Sequence, residues 1–149
     1  MKVQVLLLCS LAFLGFTGGC HPDYDRQLPN GYVLVRSNSY TVAIATPADI
    51  ARHHSTHADA GIAVAAKIIH IAVYSPYVVG EVVASPSSEL ADIEVPGWFI
   101  LHTETDVAQL GLTRKIWEAS LETIGLHPAE IRLRDPRHLP RTKYSGATP

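Results

Sequence analysis

Between residues 31 and 112 the chain alternates short runs of β-branched and aromatic residues with turn-forming residues, the pattern of successive hairpins. Tyr32–Arg36 and Tyr40–Ile44 flank Ser37-Asn38-Ser39. Lys67–Tyr74 and Tyr77–Val83 flank Ser75-Pro76. Trp98–Thr103 and Val107–Leu110 flank Glu104-Thr105-Asp106. The period then changes from two to 3.6. Trp117, Leu121 and Ile124 fall at i, i+4 and i+7, with Ile116 beside them and Glu118 and Glu122 turned away. Thr113 is placed to cap this helix and Gly125 to stop it in the left-handed C′ position. A helix with one apolar stripe needs a sheet face to cover. The expectation is therefore an α+β fold: an antiparallel β-meander of about six strands, in three hairpins, with one C-terminal amphipathic helix. Pro128–Leu133 is expected to add one turn or a short strand.

The first and third hairpins align without gaps, Gly31–Ser39 against Gly97–Thr105, and each position keeps its chemical character. An internal repeat of the propeller-blade kind would give such a match. So would two independent hairpins, because any β-rich chain alternates in this way.

The first twenty residues have a different pattern. Lys2 precedes an apolar run, Val3–Phe16, broken by Gln4, Cys9, Ser10 and Gly15, and Thr17-Gly18-Gly19 leads to Cys20. A short apolar run between a positive start and small residues is the layout of a secretory signal, and it is too short for a membrane span. Gly18-Gly19-Cys20 resembles the lipobox of bacterial lipoproteins, with Thr17 standing where that family usually carries Leu. The resemblance covers residues 1–20. It implies cleavage before Cys20, a diacylglyceryl group on its sulfur, and anchoring through membrane lipid on the periplasmic or extracellular side. His21 after the cysteine favours an outer membrane where one exists. Ordinary cleavage near Gly19, releasing a soluble protein with an unpaired Cys20, is the alternative.

On this reading residues 1–19 are a signal peptide, 20–30 a lipidated tether, 31–134 a single β-rich domain and 135–149 a disordered tail. The two prolines and two aspartates of 21–30 suggest the tether, and three prolines, Gly146 and scattered charges suggest the tail. The 130 residues after the signal suffice for one cored domain. The cysteines are Cys9 and Cys20, so no disulfide is expected in the mature domain. A net charge of −2 gives no whole-protein case for binding nucleic acid.

The sharpest chemical candidate is His53-His54-Ser55-Thr56-His57. Thr46 as N-cap, Pro47 at the first position and Gly61 as a stop would make this segment a helix. His53 and His57 would then share a face at a spacing suited to zinc or copper, with His54 beside them and Asp49 or Asp59 as an oxygen ligand. His54 occupies the place where the zincin pattern needs glutamate, so the base of that mechanism is missing. The alternative is a solvated His-rich insertion.

His70 and His102 read as satisfied or outward-facing strand residues, and His127 as a loop residue. No Gly-x-Ser-x-Gly elbow is present. Asp92, Glu94, Glu104 and Asp106 lie on turns, where nothing selects them over solvated carboxylates. Arg132, Arg134, Arg137, Arg141 and Lys143 form a loose basic run toward the C-terminus, fit to touch lipid headgroups or simply to keep the terminus soluble. Tyr32, Tyr40, Tyr74, Tyr77 and Trp98 recur at strand ends, either as core caps or as a peptide or glycan platform. The functional expectation is a small envelope-anchored lipoprotein, a non-catalytic binding or structural module with an envelope polymer or protein as partner. A metal-binding protein or metal-assisted hydrolase built on the histidine cluster is the alternative.

Overall fold

The structure, a computed structural model, describes residues 24–36, 40–48, 62–65, 67–84 and 95–140. Its strands are β1 (Tyr24–Gln27), β2 (Val33–Arg36), β3 (Val42–Ala45), β4 (Ile62–Val64), β5 (Lys67–Tyr74), β6 (Tyr77–Val83), β7 (Gly97–His102) and β8 (Val107–Leu112). They are followed by the helix α1 (Arg114–Thr123). The fold is α+β, with a mostly antiparallel, meander-like sheet. Among the described residues it has eight strands where six were expected, because β1 and β4 were not foreseen. The sheet order is β1-β2-β3-β5-β6-β7-β8, with β4 paired to β3. The three expected hairpin pairings are present: β2 with β3, β5 with β6, and β7 with β8. No helix among the described residues is long and apolar enough to cross a membrane.

Alternation gives the sheet two faces and two apolar clusters. The inner cluster joins Leu34 and Ile44 from one half of the sheet to Ile71, Val78, Phe99 and Leu101 from the other. The sheet therefore curls until β4 lies against β8. Gly80 makes this core possible. A Cβ there would sit 2.7 Å from the Phe99 ring and collide with the His70 carbonyl, so only glycine lets Phe99 pack over β6. The outer cluster is Ala72, Val79 and Ile100 covered by Trp117 and Leu121 of α1.

The two hairpins that align in sequence contribute to different faces. Tyr32 and Leu34 enter the inner cluster, whereas their counterparts Trp98 and Ile100 enter the outer one. The match in sequence is therefore not a match in packing.

Two boundaries need correction. Part of the expected 20–30 tether belongs to the sheet: β1 pairs along its whole length with β2, and Leu28 is 1% exposed in the inner core. The expected 135–149 tail is folded as far as Pro140. Arg134 and Ile71 exchange two backbone hydrogen bonds of 2.9 Å, which covers the edge of β5 where it diverges from β3. Pro136 is buried in a 3-10 turn, Pro136–His138, and Leu139 packs on the inner core. The expected turn after Pro128 is a 3-10 turn, Pro128–Glu130.

Candidate functional site

A cleft lies where α1 crosses the outer face. Thr113 Oγ1 accepts from the Ile116 amide at 3.3 Å and starts the helix. At the other end the Leu126 amide donates to Leu121 O at 2.9 Å and the Gly125 amide to Glu122 O at 3.1 Å, with Gly125 at φ +81°. That bond pair is a Schellman stop. Between these caps Trp117 is buried, and its Nε1–H donates to Phe99 O at 3.1 Å, where the register of β7 against β8 shifts. The Trp98 ring lies 4.4 Å from Trp117, tilted by 39°. Arg114 stands 5.8 Å from the Trp98 centroid and pairs with Glu118 at 2.9 Å. The cleft, about 510 Å³, has these indoles on one side and His127, Pro128 and Ile131 on the other. Such a surface offers stacking and charge-assisted hydrogen bonds, which is binding chemistry.

A second feature is the end of the sheet where β1 begins. Tyr24, Arg36, Val42 and Lys67 are successive Cα partners across β1, β2, β3 and β5. Beside them the 3-10 turn brings Asp135 and Arg137, and together these residues line a hollow of about 200 Å³. Lys67 Nζ is 5.7 Å from the Tyr40 centroid. Arg137 Nη2 meets Asp135 Oδ2 at 2.6 Å, and its Nε donates to Oδ1 at 2.9 Å. These bonds pull the Asp135 carboxyl down to about 2, against a smaller opposing effect of burial.

The opposite end is a polar clasp. Tyr32 Oη donates to the Asp106 carboxylate, Asn30 Nδ2 to Thr103 Oγ1 at 2.8 Å, and Thr103 Oγ1 to Pro76 O at 2.7 Å. Burial first, and Asp106 second, hold the Tyr32 phenol well above its ordinary pKa. The clasp ties the β1–β2 connection to the β7–β8 turn.

The structure sorts the expected candidates. Asp106 is engaged by Tyr32, and Glu104 is exposed on the same turn. His70 Nδ1 lies 2.9 Å from Glu81 Oε2 across β5 and β6, on an exposed stretch of the outer face. His102 stacks edge-on against Tyr77 at 4.7 Å. The five strand-end aromatics form no common platform. Tyr32 is core, Tyr40 is exposed at the basic end, and Tyr74, Tyr77 and Trp98 border the outer cluster. Cys20, His53, His54 and His57, together with Asp49, Asp59, Asp92, Glu94, Arg141 and Lys143, lie outside the described residues. Among the described residues no group of three His, Cys, Asp or Glu side chains is placed to hold a metal ion.

The basic row escaped sequence reasoning because Arg36 and Lys67 meet only through the parallel β3–β5 pairing, which skips β4. The one available signal was the alternation of Ile131, Arg132, Leu133 and Arg134, which marks an extended segment continuing toward Arg137. No family model, curated protein or solved structure matches the chain.

Proposed function

We infer that this protein is an exported, lipid-anchored envelope protein that works as a non-catalytic binding or structural module. One observation carries the reading: a lipobox-like leader ends on Cys20, and a folded sheet begins at Tyr24, with only His21, Pro22 and Asp23 between. A sheet starting that close behind an acylated cysteine is a domain built to stand on a membrane. The cleft beside Trp98 and Trp117 is where an envelope polymer or protein segment would be held, by stacking and by the charges of Arg114 and Glu118. Mass spectrometry of the protein purified from membranes tests the anchor. The expected N-terminal residue is Cys20 carrying a diacylglyceryl group. An unmodified Cys20, or a chain retaining Met1, refutes the reading.

A further inference from the structure

We propose that Arg132 and Arg134 bind the phosphate group of an organic phosphomonoester in the hollow beside β5. The inference stands apart from the anchor reading, since nothing in it depends on Cys20.

Alternation along one extended segment makes the site. After the turn Pro128–Glu130 the chain runs antiparallel to β5. Ile131 and Leu133 pack on the outer cluster, and Arg132 and Arg134 between them and beyond line a separate hollow of about 330 Å³ with Val73, Leu139 and Pro140. The backbone is fixed at both arginines. The Tyr74 hydroxyl accepts from the Arg132 amide at 2.9 Å and donates to Glu130 O at 3.3 Å, and Arg134 exchanges its two 2.9 Å bonds with Ile71. Alternate residues of an extended chain stand about 6.6 Å apart, close enough for two arginine forks to close on one group.

Both guanidiniums are available. Both residues are exposed, and among the described residues neither side chain has an ion pair, a hydrogen bond or a stacked ring. The surrounding charge does not cancel them. Asp135 is engaged by Arg137, and the exposed Glu130 pairs with neither arginine. Beyond Pro140 the sequence adds Arg141 and Lys143, and the 49–61 connection adds Asp49 and Asp59 against Arg52. With all of these counted, Arg132, Arg134, Arg141, Lys143 and Arg52 stand against Glu130, Asp49 and Asp59. Glu89, Asp92 and Glu94 belong to the β6–β7 connection, which leaves the sheet beside Lys67, at the end away from Tyr74.

The ligand class follows from the donors. One arginine fork satisfies a carboxylate, which has a single charge. Two forks side by side match a phosphomonoester, which carries nearly two charges on three acceptor oxygens. Val73, Leu139 and Pro140 offer apolar surface to the organic body that bears it.

The test titrates phenyl phosphate, acetate and dihexanoyl phosphatidic acid into the purified protein, in the form in which the cell makes it, and follows the arginine Nε–H signals by NMR. Phenyl phosphate should shift the Arg132 and Arg134 signals saturably and bind more tightly than acetate. Arg132→Gln and Arg134→Gln should each weaken it about five-fold, and the pair about twenty-five-fold, the upper end for solvent-exposed charge pairs. Arg132→Lys with Arg134→Lys keeps the charge but not the forks, and should narrow the gap between phosphate and acetate. Lys115→Gln removes one charge from the exposed face of α1, outside the hollow, and should leave binding unchanged. Tighter binding of the short-chain lipid than of phenyl phosphate places the phosphate on a headgroup, and the reverse places it on a soluble ester; both uphold the site. Absence of saturable shifts at Arg132 and Arg134 with either phosphate overturns the proposal. So does equal affinity for phosphate and acetate, or a loss in Lys115→Gln as large as that in Arg132→Gln, which would reduce the effect to net charge.

Discussion

Leu28→Ala asks whether the segment behind the anchor is a leash or part of the core. Leu28 follows β1, is 1% exposed, and its amide donates to Tyr32 O at 2.8 Å, closing the turn into β2. Truncation to alanine removes three carbons from the inner cluster, about 2.4 kcal/mol at roughly 0.8 kcal/mol per buried methylene. The void left, about 80 Å³ before relaxation, adds on the order of 1 kcal/mol once half of it collapses. The sum is about 3–4 kcal/mol, which for a domain of this size lowers Tm by about 10–15 °C. Urea and thermal melts followed by tryptophan fluorescence report it, since Trp98 and Trp117 sit in the other cluster and sense global unfolding. Gln27→Ala, one residue earlier and exposed, should stay within about 0.5 kcal/mol. A loss below about 1 kcal/mol for Leu28→Ala would refute the placement of this segment in the cooperative core.

Gly80→Ala should cost at least about 3 kcal/mol, because the new methyl meets the His70 carbonyl and the buried Phe99 ring and backbone must move; loss of near-ultraviolet dichroism checks it. Tyr32→Phe should cost about 1–2 kcal/mol, below the usual range for a bond to a charged group because Asp106 is exposed and rehydrates. The Tyr32 phenol is raised on folding, so its contribution is complete below about pH 10 and is lost as pH climbs above that; difference melts between pH 8 and 11 should show the gap to Tyr32→Phe narrowing. Asp135→Asn should cost no more than about 1 kcal/mol at pH 7, since the ion pair with Arg137 is part-exposed and screened. Its carboxyl is lowered on folding, so the contribution is present above about pH 4 and fades as pH falls toward 2, where melts of the two proteins should coincide.

What the sequence reveals depends on whether side chains or backbone hold an element in place. The three hairpins and α1 are legible because their apolar periodicities match the faces they bury, and because Thr113 and Gly125 mark the helix ends chemically. β1 is not legible. Three of its four residues, Asp25, Arg26 and Gln27, are polar, and it is held by its backbone ladder to β2 and by Leu28 beyond it. β4 is three residues long, too short for alternation to register. The segment after Asp135 has the composition of a tail, yet Asp135 caps the turn at Pro136–His138 by accepting from the Arg137 amide, and Pro136 fills a buried position. The sites demand still more. Tyr32 and Asp106 are 74 residues apart and meet only once the sheet curls, and Arg36 and Lys67 fall in one row, either side of Val42, only once its strand order is known.

The edge strand gives these parts a common logic. Among the described strands β1 pairs only with β2, and charged Asp25 and Arg26 on so short a strand discourage a second chain from adding there. On the anchored reading the same strand sets the standoff from the membrane. While β1 is paired, the link from Cys20 is four residue steps. If residues 24–28 peeled away, the link would grow to nine steps and its reach from about 14 to about 32 Å. That exceeds the length of any strand in the sheet, so either end could then turn toward the bilayer. Leu28 is the side chain that resists this, lodged in the inner core at the far end of β1. Its burial would therefore stabilise the fold and fix the orientation together.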